Sequence, residues 1–588
     1  MRYIALLSLA VPLLAGVPPQ DRRNTDIVHT DTRFQARSYR TLEEWQRRAT
    51  HLRKQVLSAA GLMPMPEKTP LNAQVFGRIE NKDYSIEKVY LETLPGFYLG
   101  GNLYRPLGRK GKFPAVAAPH GHAQYGRLED GALFSVPRRG INMARQGYVV
   151  FGYDMIGFND TVQIPHVATG QREQLWGLGL LGLQTWNSIR VLDFLQSLPD
   201  VDPERIGVTG ESGGGTQTFM LCAVDDRPRI SSPVNMISLI MQGGSPCENA
   251  PNLRIGTNNV EIASLMAPRP MLMVAATGDW TKNTPREEYP AVKAIYELYG
   301  KGDQVETVQF DAPHNYNKDS REAVYKFFAK WLLKDPKWAE YSEQDIRQEK
   351  LQDLMVFHGR ALPAGAVTYP QLVERWIAAA RKQNVETKDA GTFRERLRCS
   401  IGAEQPDQVE FETAGERIVM TRPGEGDRVP GIWLPKSKTA AALVVHPDGA
   451  EAARGSAAAK QAIAEGRSML AIDTFQTGSA VAPRDRSTSH FLTFNRTEDA
   501  NRAQDILTAL AFLKQQGATD VRLAGVNKAA VWATFAAALA TTALRLEAPL
   551  GSFRGADEDF IRDFFVPGIQ RAGGLEAARR LSAAAAHE

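Results

Sequence analysis

The chain has 588 residues, more than one hydrophobic core sustains, so two or more domains are expected. Hydrophobic residues make up 43% and charged residues 23%, an ordinary globular balance. With 70 basic against 66 acidic side chains and no Lys/Arg-rich run, the net charge of +4 gives no electrostatic case for a nucleic-acid partner.

The first residues, "MRYIALLSLAVPLLAGVPPQ", place one arginine before an apolar stretch from Ile4 to Leu14, then small residues and prolines. That pattern predicts a signal peptide over residues 1–17; a buried N-terminal helix is the competing reading. No Ala-x-Ala marks the cleavage point, and no cysteine follows to carry a lipid anchor. No later segment reaches ~18 uninterrupted apolar residues, so no membrane association is expected after cleavage, and the location is periplasmic or secreted.

Residues from about 40 to 60 read as an amphipathic helix that Gly61 stops. "YSIEKVYLETLPGFYLGGNLYRP" alternates like two strands around a turn, and "FPAVAAP" reads as a buried strand followed by the loop "HGHAQYGR". "GYVVFGYDMIGFND" is a further strand and loop. "GLGLLG", Gly177 to Gly182, matches a dinucleotide fingerprint but follows the polar "TGQREQ" rather than a strand, so it reads as a loop or helix start. "QTWNSIRVLDFLQSL" sets Trp186, Ile189, Leu192 and Leu195 on one helical face.

"RIGVTGESGGGTQTFMLC" turns from strand to helix through glycines around Ser212, the G-x-S-x-G pattern of a nucleophile elbow. Strands "RPMLMVAATGDW" and "VETVQFDAPH" and a helix "SREAVYKFFAKWLL" complete this half. Apolar strands alternating with helices predict an α/β fold with a doubly wound, mostly parallel sheet.

From about residue 346 the chain reads as a helical linker to about residue 400, and a second α/β pattern fills residues 401–588. Three of its segments echo the first half in the same order. In the last of them Gly210 matches Gly525, Ser212 matches Asn527, and Gly213 matches Lys528. A duplicated unit without a nucleophile is the expectation, and residues 25–345 form the catalytic unit.

A serine hydroxyl needs an imidazole to take its proton, and that imidazole needs a carboxylate to hold its tautomer. In chain order Ser, acid, His, the positions after late strands are Asp279 and His314, with Asp311 the competing acid. The oxyanion requires two backbone N–H donors; Gly213 is one, and Gly121 or His122 the other. "HGH" could be a metal pair, but neither H-x-H-x-D-H nor H-E-x-x-H accompanies it, so no metal and no cofactor are expected. Cys222, Cys247 and Cys399 are too few and scattered for a disulfide framework or a zinc site.

The set "HGHAQYGR", "YDMIGFNDT", "GVTGESGGGTQT", "CENAPNLRIGTNNVE", "ATGDWTKNTP" and "DAPHNYN" resembles the acetyl xylan esterase and dienelactone-hydrolase-like branch of α/β-hydrolases over residues 40 to 335. Dienelactone hydrolases use cysteine where this chain has Ser212, so the resemblance is to the esterase side. It implies a secreted bacterial enzyme that removes ester substituents, acetyl foremost, from plant polysaccharides or oligosaccharides. Tyr125, Trp176, Glu211, Glu248, Trp280 and Tyr316 are candidates to hold the sugar. Competing readings are an esterase for methyl or aromatic esters of acidic sugars, a serine peptidase, and a non-catalytic carbohydrate-binding protein. The peptidase is disfavoured because no propeller-like repeat precedes the catalytic half.

Overall fold

The computed structural model describes residues 16–584, so the expected leader lies outside the described residues except for its last two, as does His587. Two sheets organise the chain. The first holds nine strands in the order β1-β2-β3-β5-β4-β6-β7-β8-β9. They are β1 (Gln74–Glu80), β2 (Tyr84–Leu94), β3 (Phe97–Pro106), β4 (Phe113–Pro119), β5 (Val149–Tyr153), β6 (Val201–Glu211), β7 (Pro228–Val234), β8 (Met271–Gly278) and β9 (Val305–Pro313). β1, β2, β3 and β5 pair antiparallel, and every pairing from β5 to β9 is parallel. β4 and β5 are buried almost throughout, as strands covered on both faces must be.

The helix Leu42–Ala59 begins at Thr41, whose hydroxyl accepts from the Glu44 N–H, and buries Trp45, Ala49, Leu52 and Val56. The helix Leu180–Ser197 departs from expectation. It is buried on nearly all sides rather than along one face, because it packs against β6, the helix Gly213–Val224 and the segment Pro246–Glu248. Its one glycine serves packing: a Cβ on Gly182 would sit 2.0 Å from the Ala60 carbonyl oxygen. The linker is less helical than expected, with only Leu351–Leu354 helical before Tyr369–Glu386 and Ala390–Ile401. β7 escapes a hydrophobicity reading because serines occupy its buried centre at 231 and 232.

The second sheet runs β10-β11-β12-β14-β13-β15-β16. Its strands are β10 (Glu410–Ala414), β11 (Arg417–Thr421), β12 (Val429–Leu434), β13 (Ala440–Val445), β14 (Ser468–Ile472), β15 (Asp520–Gly525) and β16 (Leu544–Glu547). The first three pairings are antiparallel and the last three parallel. This repeats the order β1 to β7 strand for strand and stops there: counterparts of β8 and β9 are absent among the described residues. Side chains of both units share one apolar core, with Leu52 and Val56 from the first, Leu397 and Ile401 from the connecting helices, and Ala533 from the second. All three cysteines are free.

Candidate active site

β4, β6, β8 and β9 run parallel, so their carboxyl ends lie along one edge of the sheet, the place where open parallel sheets present their chemistry. β6 ends at Glu211, and Ser212 follows with φ 57° and ψ −121° before the helix Gly213–Val224 begins. A non-glycine residue there is strained, and the turn lifts the side chain off the end of the strand. The elbow closes only because Gly210 has no side chain: a Cβ would lie 2.5 Å from the Pro119 carbonyl oxygen. The Ser212 hydroxyl makes no hydrogen bond among the described residues.

Asp279 follows β8 and His314 follows β9. The His314 Nδ1–H donates to Asp279 Oδ2 at 2.7 Å, while Asp279 Oδ1 accepts from the Thr281 N–H at 2.7 Å and the Thr281 hydroxyl at 2.5 Å. The Asp279 side chain is 2% exposed and that of His314 24%. His314 Nε2 is buried without a partner among the described residues. The imidazole lies beside Trp280, ring centroids 4.4 Å apart, and near Phe134 at 6.0 Å. Asp311 bonds the Thr277 hydroxyl at 2.5 Å instead and makes no hydrogen bond to His314.

The oxyanion candidates divide. The Gly121 N–H donates to Glu211 Oε1 at 2.9 Å, so it is already engaged. The N–H groups of Gly213 and His122 donate to no described group. A Cβ on Gly213 would lie 2.7 Å from His122 Cε1, so these two segments meet.

Four of the expected sugar contacts are buried. Glu211 is a buried pin whose second oxygen accepts from Arg139 Nη1 at 2.9 Å, and Arg139 also reaches the Pro119 carbonyl. Tyr316 is buried, its hydroxyl pairing with Thr209 at 2.7 Å and its ring lying under the Arg139 guanidinium. Trp176 is buried against the second unit, where its indole N–H donates to Asp557 at 2.9 Å. Glu248 is also buried and braces a loop, with Oε2 accepting from the Gly244 and Ser245 N–H groups. Burial raises its carboxyl above the usual range. Trp280 remains beside His314, and Tyr125, 48% exposed, faces solvent on the loop after β4.

Sequence reasoning missed three residues here. His120 is fully buried, with Nε2 accepting from the Met155 N–H at 2.9 Å and Nδ1 donating to the Gly121 carbonyl at 2.7 Å. Burial holds it neutral, pushed down to about 3. His166 and Cys247 lie 44 and 125 residues beyond His122, yet the fold brings both to its ring. No spacing motif could have signalled that.

No family model matches the chain. Methylesterase BT1017 is similar, at 31% identity and a TM-score of 0.50 over 59% of this chain and 78% of that one. YtaP of Bacillus subtilis (strain 168), named provisionally as a hydrolase, is 28% identical over 299 residues, which are 48% of this chain and 98% of that protein. A glucuronoyl esterase from Solibacter usitatus aligns with 16% identity and a TM-score of 0.38, covering 49% of this chain and 93% of that one.

Proposed function

This chain belongs to the α/β-hydrolase family of esterases that includes methylesterase BT1017, and on that footing we propose that it is a serine carbohydrate esterase working through Ser212, His314 and Asp279. The observation that carries the proposal is the 2.7 Å bond from His314 to Asp279, which leaves Nε2 buried and unpartnered. A neutral imidazole so held keeps its lone pair on Nε2, the atom a general base must use.

In the proposed cycle Ser212 Oγ attacks the ester carbonyl carbon as its proton passes to His314 Nε2. Asp279 stabilises the imidazolium, and the N–H groups of Gly213 and His122 receive the oxyanion. The alcohol leaves with the proton from His314. Water then enters by the reverse of the same steps and releases the acid.

The resemblance in the sequence suggests acetyl groups as the substituent. The 31% identity to a methylesterase favours methyl esters of acidic sugars instead. We also assign residues 1–17 to export, residues 25–345 to catalysis, and the second unit to support of the substrate cleft. The deciding assay offers methyl-esterified, acetylated and feruloylated polysaccharides to the enzyme and to Ser212→Ala. Methanol released by the first and not by the second is the expected result. Acetate without methanol would return the reading to acetyl esters, and no product from any of them would sink the carbohydrate-esterase reading.

A further inference from the structure

We propose that His122, His166 and Cys247 form a binding site for a thiophilic divalent cation of the zinc class at the rim of the active-site crevice. They come from three separate loops: His122 after β4, His166 after β5, and Cys247 from the segment before the helix Asn259–Ser264. Their donor atoms all lie within 4.8 Å of one another.

Two of the separations come close to those of a coordination shell. A tetrahedral zinc ion, with bonds of about 2.0–2.1 Å to nitrogen and about 2.3 Å to sulfur, spaces its donors about 3.3 Å apart for N to N and about 3.6 Å for N to S. His122 Nε2 lies 3.3 Å from His166 Nε2 and 3.2 Å from Cys247 Sγ. Ser245 Oγ lies beside them, 3.2 Å from His166 Nε2 and 3.5 Å from Cys247 Sγ. Three protein donors leave a fourth position, which this hydroxyl or a water could take.

The outer partners fit the same purpose. His166 Nδ1 donates to the Ile156 carbonyl at 2.6 Å, which fixes the tautomer with its lone pair on Nε2, as in ligating histidines generally. Met155 Sδ, 3.7 Å from Cys247 Sγ, makes the surroundings soft. Cys247 Sγ lies within hydrogen-bonding distance of His122 Nε2 and Ser245 Oγ. Binding replaces the S–H bond with a bond to the metal and releases that proton to solvent.

Binding is measured on the full-length Ser212→Ala protein, so the outcome does not depend on the esterase reading. After chelator treatment and its removal, Zn²⁺ is titrated against a chromophoric competitor, and Co²⁺ is titrated in a separate sample. We expect one equivalent of Zn²⁺, a near-ultraviolet thiolate-to-cobalt band, and a thermal midpoint that rises with Zn²⁺. Adding Cys247→Ala or His166→Ala should weaken binding by more than about a hundredfold, beyond the tenfold to hundredfold of an outer partner. Should either variant fold poorly by circular dichroism, Cys247→Ser and His166→Gln replace them with closer shapes. A cobalt spectrum without the thiolate band, or unchanged affinity in folded Cys247 and His166 variants, would leave a hydrogen-bonded cluster only and overturn the proposal.

Discussion

At Ser212 a side chain occupies a backbone conformation that residues other than glycine rarely adopt, and only the surrounding turn keeps it there. Strain of this kind marks a position for a hydroxyl that has to stand clear of the sheet. If Ser212 attacks the ester, Ser212→Ala should lose on the order of 10⁴–10⁶ in turnover. His314→Ala should lose nearly as much, and the double variant no more than either, because the two act as one unit. Asp279→Asn should cost about 10⁴ through loss of tautomer control. Asp311→Asn should be close to wild type, since its carboxylate serves Thr277. Steady-state kinetics on an aryl ester checks all of these, and inactivation by the Asp311 change alone would overturn the choice of acid.

Between elements, Glu211 ties three pieces together: β6, which it ends; the loop after β4, through the Gly121 N–H; and the helix Val136–Gln146, through Arg139. By engaging Gly121 it fixes the backbone just before His122, whose N–H has no partner among the described residues. Glu211→Ala would leave the buried Arg139 guanidinium unpaired, at a cost of about 3–5 kcal/mol. Glu211→Gln keeps the shape and an acceptor but removes the charge. We expect it to fold, with kcat reduced at least tenfold and KM little changed, because the oxyanion contact acts in the transition state rather than the ground state. A rise in KM with normal kcat would place Glu211 in substrate binding, against its burial.

For the whole molecule the two units cannot be treated as beads on a string. Arg23, near the start of the described chain, pairs with Asp505 of the second unit at 2.6 Å. Backbone bonds join Asn252 to Leu492 and Arg254 to Thr493. Beside them a cavity of about 260 Å³ is lined by Leu178 and Pro246 from the first unit and by Phe491 and Leu492 from the second. The second unit should have no hydrolytic activity of its own. Its elbow persists as backbone, with Asn527 at φ 52°, but it carries an amide, and the two strands after which an acid and a base would stand are absent among the described residues. Removing residues 401–588 should leave an insoluble or strongly destabilised first unit, because it uncovers shared core. Phe491→Ala should raise KM for polysaccharide esters several-fold and leave small aryl esters unaffected. A stable truncated protein with unchanged polysaccharide kinetics would remove both roles from the second unit.

Local order and linear pattern determined much of this protein. Strand and helix periods and the glycine placement around Ser212 were legible because each depends on neighbours along the chain, and the pairing of Asp279 with His314 followed from the order of the strands that precede them. The echo of the first half in the second was legible for the same reason, down to Gly525 and Asn527. What belongs to burial and to distant contacts was not. Glu211, Trp176 and Tyr316 looked like sugar contacts because their side chains are polar or aromatic, and only packing shows each engaged inside the protein. The choice of His122 over Gly121 for a free N–H turned on a carboxylate 90 residues away. The meeting of His122, His166 and Cys247 depends on three loops converging at one edge of the sheet. No spacing records that, because convergence is a property of topology rather than of sequence separation.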